Sequence, residues 1–255
     1  MIYVTGDTHT RWMERLYPDV FPEQKNMTKE DYVIICGDFG IWDNSLRENY
    51  NLDWLENQSF TTLFVAGNHD NYDILDDLPV EQWHGGKVNF LRPSVIHLMR
   101  GQVFEIDGRT FFTFGGASSH DIEDGILDPW DPEFAEKKSQ LDEVGGWYRI
   151  NHKSWWEREL PTKEEMWEGL KNLAKVDNKV DYIITHSPDN VAQEFLARDY
   201  LPDGQIYQKD ILTDYLQQIR NTTEFYHWIY GHMHFNKTYR DIRSTCIYEQ
   251  IIRIV

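Results

Sequence analysis

Residues 32 to 38 read Tyr-Val-Ile-Ile-Cys-Gly-Asp, an apolar run that ends in a glycine and a carboxylate. Two other apolar runs end in the same way, at Thr5-Gly6-Asp7 and at Ala66-Gly67-Asn68. Short apolar runs bounded by turn residues predict buried strands. Helical patterns lie between them at residues 11–16 and 45–56. The first third of the chain therefore predicts βαβ units, with parallel strands and helices on both faces of a sheet.

The middle and the end of the chain have a different pattern of apolar and polar residues. Closely spaced apolar runs between residues 88 and 114, with Asp107-Gly108 as a turn signal, predict antiparallel strands. A polar segment at about residues 118–161 is rich in tryptophan and contains one helical pattern, residues 133–144. Beyond it, Thr162 begins a helix with capping-box spacing. Strands are then predicted at residues 181–185 and 225–230, a helix at residues 209–219, and an edge or closing strand at residues 246–255. We expect one domain over residues 1–255, with the segment 118–161 as a Trp-rich insertion.

Composition and charge restrict the class of partner. The 255 residues carry 43 acidic and 25 basic side chains, a formal net charge of −18. Such a surface repels nucleic acid, which we do not expect as a partner, and a phosphate substrate needs local positive charge that metal ions can supply. No apolar run is long enough to span a membrane, and no signal peptide precedes the first strand. With only Cys36 and Cys246 and no disulfide framework, these features predict a cytoplasmic protein that does not engage a membrane.

Five short polar motifs follow apolar runs. They are Asp7-Thr8-His9, Gly37-Asp38, Gly67-Asn68-His69-Asp70, Thr185-His186 and Gly231-His232-Met233-His234. Each motif alone is weak, because a lone Gly-Asp is usually a turn and a lone histidine is usually a core or surface residue. Five in this order, each at the carboxyl end of a predicted strand, indicate a ligand site.

The motif order D-x-H, G-D, G-N-H-[DE], H and G-H-x-H resembles that of the calcineurin-like metallophosphoesterase family, over nearly the whole chain. The resemblance implies an α/β fold near the α+β border, a four-layer α/β/β/α sandwich of two mixed sheets with helices outside. It also implies two divalent ions, with Mn preferred and Fe, Zn or Ni as alternatives. Imidazole and carboxylate ligands suit these ions, and the absence of thiolates argues against a structural zinc site. One ion would be held by Asp7, His9, Asp38 and His234, and the second by Asp38, Asn68, His186 and His232, with Asp38 as the bridge.

The same resemblance implies a reaction and an acid. Hydroxide held between the ions would attack a phosphomonoester or a phosphodiester of a small molecule or nucleotide. His69 would stabilise the developing charge and protonate the leaving oxygen, which requires an imidazolium. Asp70 would orient and charge that ring, or else serve as a turn or helix-cap carboxylate.

The residues that read the substrate are less well defined. The family's protein phosphatases carry an arginine shortly after the second motif, and none is present in residues 37–43. This departure argues against a phosphoprotein phosphatase. Gly115-Gly116-Ala117 followed by polar residues, with the later Ser154-Trp155-Trp156, resembles a poorly characterised bacterial and phage branch of the same family. Arg149, His152 and His120 are candidates for phosphate contact. The alternative is that the insertion simply packs against the body of the protein.

Two other functions remain possible at this stage. A nuclease acting on single-stranded nucleic acid could use the tryptophans of the insertion for base stacking. A scaffold protein on the same fold could lack catalysis, although it would be expected to have lost several ligands. The sequence leaves the substrate, the metal in the cell and the oligomeric state open.

Overall fold

Fifteen strands and seven α-helices form the computed structural model, which describes residues 1–255. The strands are β1 (Ile2–Thr5), β2 (Tyr32–Cys36), β3 (Thr61–Val65), β4 (Glu81–Trp83), β5 (Gly86–Arg92), β6 (Val95–Leu98), β7 (Gln102–Ile106), β8 (Arg109–Phe114), β9 (Ile126–Leu127), β10 (Arg149–Ile150), β11 (Lys179–Thr185), β12 (Glu224–Tyr230), β13 (Lys237–Tyr239), β14 (Ser244–Cys246) and β15 (Ile251–Arg253). The helices are α1 (Trp12–Leu16), α2 (Leu46–Glu56), α3 (Tyr72–Asp77), α4 (Phe134–Val144), α5 (Lys163–Ala174), α6 (Asn190–Tyr200) and α7 (Ile211–Thr222). Short 3-10 turns occupy Pro22–Asn26, Glu157–Glu159 and Arg240–Ile242.

Two mixed sheets carry the fold. The first has seven strands in the order β15-β1-β2-β3-β6-β5-β4, and the second has six in the order β13-β14-β12-β11-β8-β7. The central pairs β1–β2–β3–β6 and β8–β11–β12–β14 are parallel, whereas the outer pairs are antiparallel. Parallel centres place the carboxyl ends of β1, β2 and β3 together on one sheet and those of β11 and β12 together on the other.

Alternation along the strands creates three apolar layers. Ile34 of the first sheet and Ile184 of the second both point into the layer between the two sheets. This layer contains no helix residue. Their neighbours in sequence point outward, Val33 and Ile35 toward a cluster that includes residues of α1, α2 and α3. Ile183 points toward a cluster with residues of α5, α6 and α7. Period-two alternation thus gives each sheet a helix-covered outer face, and the expected four-layer α/β/β/α sandwich is confirmed.

The antiparallel strands expected between residues 88 and 114 form two hairpins in different sheets. β5 and β6 pair in the first sheet, and β7 and β8 pair in the second. β6 also pairs with β3 in parallel, and β8 with β11 in parallel. The prediction of purely antiparallel pairing was therefore incomplete, because local turn signals say nothing about the distant strand on the other edge.

The predicted closing strand at residues 246–255 was wrong as one element. β14 belongs to the second sheet and β15 to the first, and the chain crosses between the sheets at residues 247–250. The Asn236 side chain accepts the backbone N–H groups of Tyr248 and Gln250 at this crossing. Helix α6, which follows the motif histidine His186 and is capped by Asp189, was not predicted.

The Trp-rich insertion packs partly against the body of the protein. Trp156 is fully buried beside the outer face of the first sheet, and its indole Nε1 donates to Asp73 of α3 at 2.8 Å. Trp147 and Trp130 are exposed. The insertion therefore contacts the body through some of its tryptophans and presents others to solvent. None of the helices combines the length and the apolar composition that crossing a membrane requires.

Candidate metal centre

Strand ends from both sheets converge on one site. Asp7 and Asp38 follow β1 and β2 of the first sheet, whereas His186 and His232 follow β11 and β12 of the second. The approach is so close that a Cβ on Gly37 would overlap the His186 ring, and one on Gly231 would overlap the Asp7 carboxylate. Glycine at these two positions lets the two sheets bring their loops into contact.

The first group of candidate ligands is compact. One donor atom from each of four side chains lies within 4.8 Å of the others, and the four are Asp7, His9, Asp38 and His234. His234 Nε2 lies 3.0 Å from Asp7 Oδ2 and 3.2 Å from His9 Nε2. Two carboxylates and two imidazoles at this spacing are a donor set that suits a first-row divalent ion.

A second group surrounds His186. Its Nε2 lies 3.3 Å from Asp38 Oδ1 and 3.2 Å from Asn68 Oδ1. Its Nδ1 lies 2.8 Å from the Cys36 carbonyl, which fixes that nitrogen as the donor. Nε2 is therefore left to face the ligand oxygens, as metal-binding histidines require. The His232 ring lies beside it, with centroids 5.0 Å apart.

The backbone at this site is strained. Four of the seven candidate ligands have positive φ, namely His9 (45°), Asp38 (44°), His232 (64°) and His234 (53°). Left-handed conformations are costly for residues with a Cβ and concentrate at functional sites, where surrounding structure holds them. Part of that support is visible, since Asp7 accepts the His232 N–H and Asp38 accepts the His69 N–H.

The buried charged groups of the site change one another's pKa. Although burial opposes its charge, the carboxylates of Asp38 and Asp7 raise the pKa of His186 to about 9. Burial likewise opposes ionisation of Asp38, but His186 and the other imidazoles hold its pKa below the usual range. A carboxylate held ionised among imidazoles is a ready cation site, because a metal ion can replace the proton of His186.

Two buried carboxylates hold the loop that follows the predicted bridging ligand. Asp70 accepts the backbone N–H groups of Phe39, Gly40 and Ile41 at 2.6–3.2 Å, and also that of Gly67. Glu48 accepts the next three N–H groups, those of residues 42–44, at 2.6–3.2 Å. Two carboxylates thus hold six consecutive backbone amides, those of residues 39–44. All hydrogen bonds of the Asp70 carboxylate go to backbone amides, and none goes to the His69 ring it was predicted to orient.

The ring of His69 contacts an arginine instead. Arg149 Nη2 lies 2.9 Å from His69 Nε2, and the guanidinium can only donate. Burial, together with the positive charge of Arg149, lowers the pKa of His69 to about 4 against the opposing charge of Asp38. Nε2 is thereby fixed as an acceptor, so in this geometry His69 is a neutral imidazole rather than the predicted imidazolium.

Arg149 itself is almost completely buried, and all five of its donors are engaged. Nε and Nη2 contact the two oxygens of Asp121 at 2.6 and 3.1 Å. Nη1 donates to the carbonyls of Ser154 and Asn68 at 3.0 and 3.4 Å. No donor remains for a phosphate oxygen, so the arrangement gives Arg149 a positioning contact with the Asn68-His69 segment.

The insertion also supports Asn68 through a short chain of side chains. Asn68 Nδ2 donates to Ser119 Oγ at 3.3 Å. Ser119 Oγ and N donate in turn to the two oxygens of Glu159 at 2.7 and 2.8 Å. All three residues are buried. The Asn68 amide is therefore oriented with its Oδ1 toward His186.

The two other predicted phosphate contacts occupy different places. His120 lies at the site, with its Nε2 2.9 Å from Nε2 of His232. His152 is exposed and pairs through Nδ1 with Asp73 at 2.9 Å. No hydrogen bond joins His152 to any of the seven candidate ligands. The structure thus brings His120 to the ligand cluster and leaves His152 on the outer side of the insertion.

Two cavities open beside His9. One of about 260 Å³ is lined by His9, Thr10, Gly40, Trp42 and His69. The other, of about 350 Å³, extends from Asp7 and His9 past Arg11 and Arg15 to Tyr248. Arg15 is hydrogen-bonded to Thr5 and the Tyr248 carbonyl, whereas the exposed Arg11 side chain makes no hydrogen bond or ion pair. Arg11 is therefore a cation without a protein partner at the edge of the first ligand group.

Sequence reasoning missed several of these residues. Glu48 had a detectable signal, since Ser45 and Glu48 have capping-box spacing, but the carboxylate binds residues 42–44 instead of the Ser45 amide. Arg11 lies two residues after His9 and could have been noticed as a cation adjoining a motif. Ser119 and Glu159 are 40 residues apart, and no local pattern links them to Asn68.

The model of the calcineurin-like phosphoesterase family matches residues 1–236. A similar solved structure is that of a phosphopantetheinyl hydrolase from Mycobacterium tuberculosis, with 16% identity over 97% of this chain and 89% of that one and a TM-score of 0.42. No curated protein sequence matches the chain.

Proposed function

The chain belongs to the calcineurin-like phosphoesterase family, and from that premise we propose that it is a dinuclear metal-dependent hydrolase of phosphate esters. The proposed substrates are phosphomonoesters or phosphodiesters of a small molecule or nucleotide. The proposed ligands are Asp7, His9, Asp38 and His234 for one ion and Asp38, Asn68, His186 and His232 for the other.

One observation carries this proposal. The Asp38 carboxylate lies between the two groups, with Oδ2 3.7 Å from His9 Nε2 and Oδ1 3.3 Å from His186 Nε2. A buried carboxylate that faces imidazoles with each of its oxygens is placed to bridge two cations. A single-ion site would need only the first group.

Two ions bound there, of which Mn is the first choice and Fe, Zn or Ni the alternatives, would polarise the phosphoryl oxygens and lower the pKa of a bound water. The protein's own contribution is to hold and orient. Asp70 and Glu48 fix the loop after Asp38, and Arg149 fixes the ring of His69 toward the cavity. His69 Nδ1–H is then the donor available to a phosphoryl or leaving oxygen. Arg11 would supply the exposed charge that meets a phosphate oxygen, a role that the missing arginine of residues 37–43 leaves vacant.

Charge favours a small substrate over a nucleic acid. A net charge of −18 repels a polyanion at a distance. A single phosphate is repelled less than a polyanion and would need only the local positive charge of the bound ions and Arg11. A compact phosphate ester is therefore the substrate that the site supports best.

The experiment that tests this proposal measures metal content and hydrolysis together. Protein loaded with Mn²⁺ is assayed against p-nitrophenyl phosphate and bis(p-nitrophenyl) phosphate, and bound metal is counted by elemental analysis. Wild type should bind two ions per chain and hydrolyse at least one ester. Asp38→Asn should reduce both metal content and activity, whereas the exposed control Asp19→Asn should change neither. Full activity in Asp38→Asn, or one ion per chain in active wild type, would contradict the dinuclear centre.

A further inference from the structure

The indole of Trp42 forms a wall of the cavity beside His9. Trp42 is half-buried, and it is the one large apolar side chain in a lining otherwise made by His9, Thr10, Gly40 and His69. His9 belongs to the first ligand group and His69 contacts Arg149. A substituent on a phosphorus atom held at the metal centre would therefore extend into a space with an aromatic wall.

The geometry of Trp42 suits stacking. Its ring is nearly parallel to that of His69, at an interplanar angle of 23° and a centroid separation of 6.2 Å. This is within the range of offset aromatic pairs. On another side it meets the buried Trp156 edge-on, at 73° and 6.0 Å. Trp156 supports the indole from within the protein, and the half-buried ring stands beside the offset ring of His69 with part of its surface open to the cavity.

The backbone of Trp42 is fixed at both polar groups. Its N–H donates to Glu48 at 2.6 Å, and its carbonyl accepts from the Asn71 side chain at 2.8 Å. With its backbone fixed and its ring packed against Trp156, Trp42 loses little conformational freedom when a ligand stacks on it, which favours binding. The loop also begins with Asp38, so the distance from the ring to the proposed bridging ligand is fixed by the same six amide contacts.

We infer that Trp42 determines specificity for phosphate esters that carry a planar aromatic group close to phosphorus, a nucleobase or an aryl ring. This inference rests on the proposed hydrolase function and names the substrate class of that same site. A cavity of about 260 Å³ beside the ligands has room for one ring system. Stacking on an aromatic side chain tolerates any flat π face, so the ring identity is set by other contacts.

The test compares substrates with and without a ring. Phenyl phosphate, adenosine 5′-monophosphate and glycerol 3-phosphate are hydrolysed by Mn²⁺-loaded wild type, Trp42→Leu and Trp42→Phe, and the ratio of variant to wild-type kcat/KM is taken for each substrate. Trp42→Leu should lower this ratio about fivefold or more for the two aromatic esters. It should leave glycerol 3-phosphate within about twofold, and Trp42→Phe should restore most of the loss. The exposed Trp130→Leu of the insertion is the matched control.

Each outcome either supports or overturns the inference about Trp42. A loss for both aromatic esters supports the inference for any ring, and a loss for the nucleotide alone supports it for a nucleobase. Equal ratios for all three substrates in Trp42→Leu would overturn it while leaving the hydrolase proposal standing.

A binding measurement separates the two proposals if wild type hydrolyses none of the three. Calorimetric titration of the Mn²⁺-loaded protein then compares adenosine 5′-monophosphate with glycerol 3-phosphate. Tighter binding of the nucleotide that disappears in Trp42→Leu upholds the stacking role although the hydrolase proposal has failed. Equal affinities in wild type would reject the stacking role as well.

Discussion

Arg149 Nη2 donates to His69 Nε2 across 2.9 Å, and it is buried there with all five of its donors engaged. An arginine from the insertion thus sets the orientation of the histidine that follows Asn68, a proposed metal ligand. The insertion is a structural part of the site and not only a cover over it.

Replacing Arg149 with methionine should lower kcat by about 10- to 100-fold, because a small displacement of a positioned group is enough to cost this much. KM should change less, since no donor of Arg149 is available to substrate. A steady-state comparison with His152→Ala, a variant of the exposed histidine of the same segment, checks this. Bound metal should remain at the wild-type level; a rise in KM with kcat unchanged would mean that Arg149 binds phosphate after all.

Replacing Arg11 should change mainly KM, whereas replacing Arg149 should change mainly kcat. Arg11→Gln removes the exposed charge beside His9 and should raise KM for a dianionic monoester by roughly 3- to 10-fold, with a smaller change for a monoanionic diester. Arg11→Lys should retain part of the effect because the charge remains. The difference should shrink in high salt, as expected for an exposed charge. Identical KM values for monoester and diester in wild type and Arg11→Gln would show that this arginine does not contact substrate.

As pH rises, the stability of the metal-free protein should fall, whereas its apparent affinity for Mn²⁺ should rise. The folded pKa of His186, about 9, lies above its ordinary value of 6.5. The free energy of unfolding of the metal-free protein therefore includes a contribution that is complete below about pH 6.5 and is lost as pH rises through 9. Metal binding must displace that proton, so apparent Mn²⁺ affinity should rise by up to about tenfold per pH unit and level off above 9.

Calorimetric melting and metal titration between pH 6 and 9.5 check both trends. In a His186→Asn variant the affinity should be weaker throughout and its pH dependence flatter. A metal-free protein whose melting temperature rises with pH across this window would contradict the assigned pairing of His186 with Asp38.

Asp70→Asn should destabilise the protein without removing a ligand. The carboxylate accepts four buried backbone N–H groups, and an amide can offer only one oxygen while placing an NH₂ against the others. We expect a loss of about 1–3 kcal/mol in the free energy of unfolding of the metal-free protein. Urea denaturation of this variant beside Asp19→Asn measures the loss. Unchanged stability with reduced turnover would instead assign Asp70 to the chemistry.

The sequence predicted the elements and motifs that depend on local pattern. The strands before Asp7, Asp38 and His186 are confirmed, because apolar runs that end in a turn residue are self-contained signals. Helix α6 was missed, and residues 246–255 were predicted as one strand although they contribute to both sheets. Which sheet a short strand joins is decided by partners that can lie far away in the chain, as β15 beside β1 shows.

For the site, types of residue were easier to predict than contacts. The candidate ligands could be proposed from motif spacing, and their approach depends on strand ends that the pattern located. The environment of His69 could not be predicted, because Arg149 is 80 residues away and its direction depends on the pairing of β9 with β10. Asp70 was ambiguous for a physical reason: a carboxylate next to a histidine in sequence can turn either to the ring or to the backbone.

The candidate ligands are divided between the two sheets, so the apolar layer between the sheets sets the gap across which ions would be shared. Ile34 and Ile184 belong to that layer and are not candidate ligands. Their side-chain volume nevertheless fixes the separation of the strand ends. The interior of this protein therefore acts as a spacer of defined thickness. Selection for the spacing of two cations would fall on aliphatic residues remote from the reaction as well as on the histidines and carboxylates.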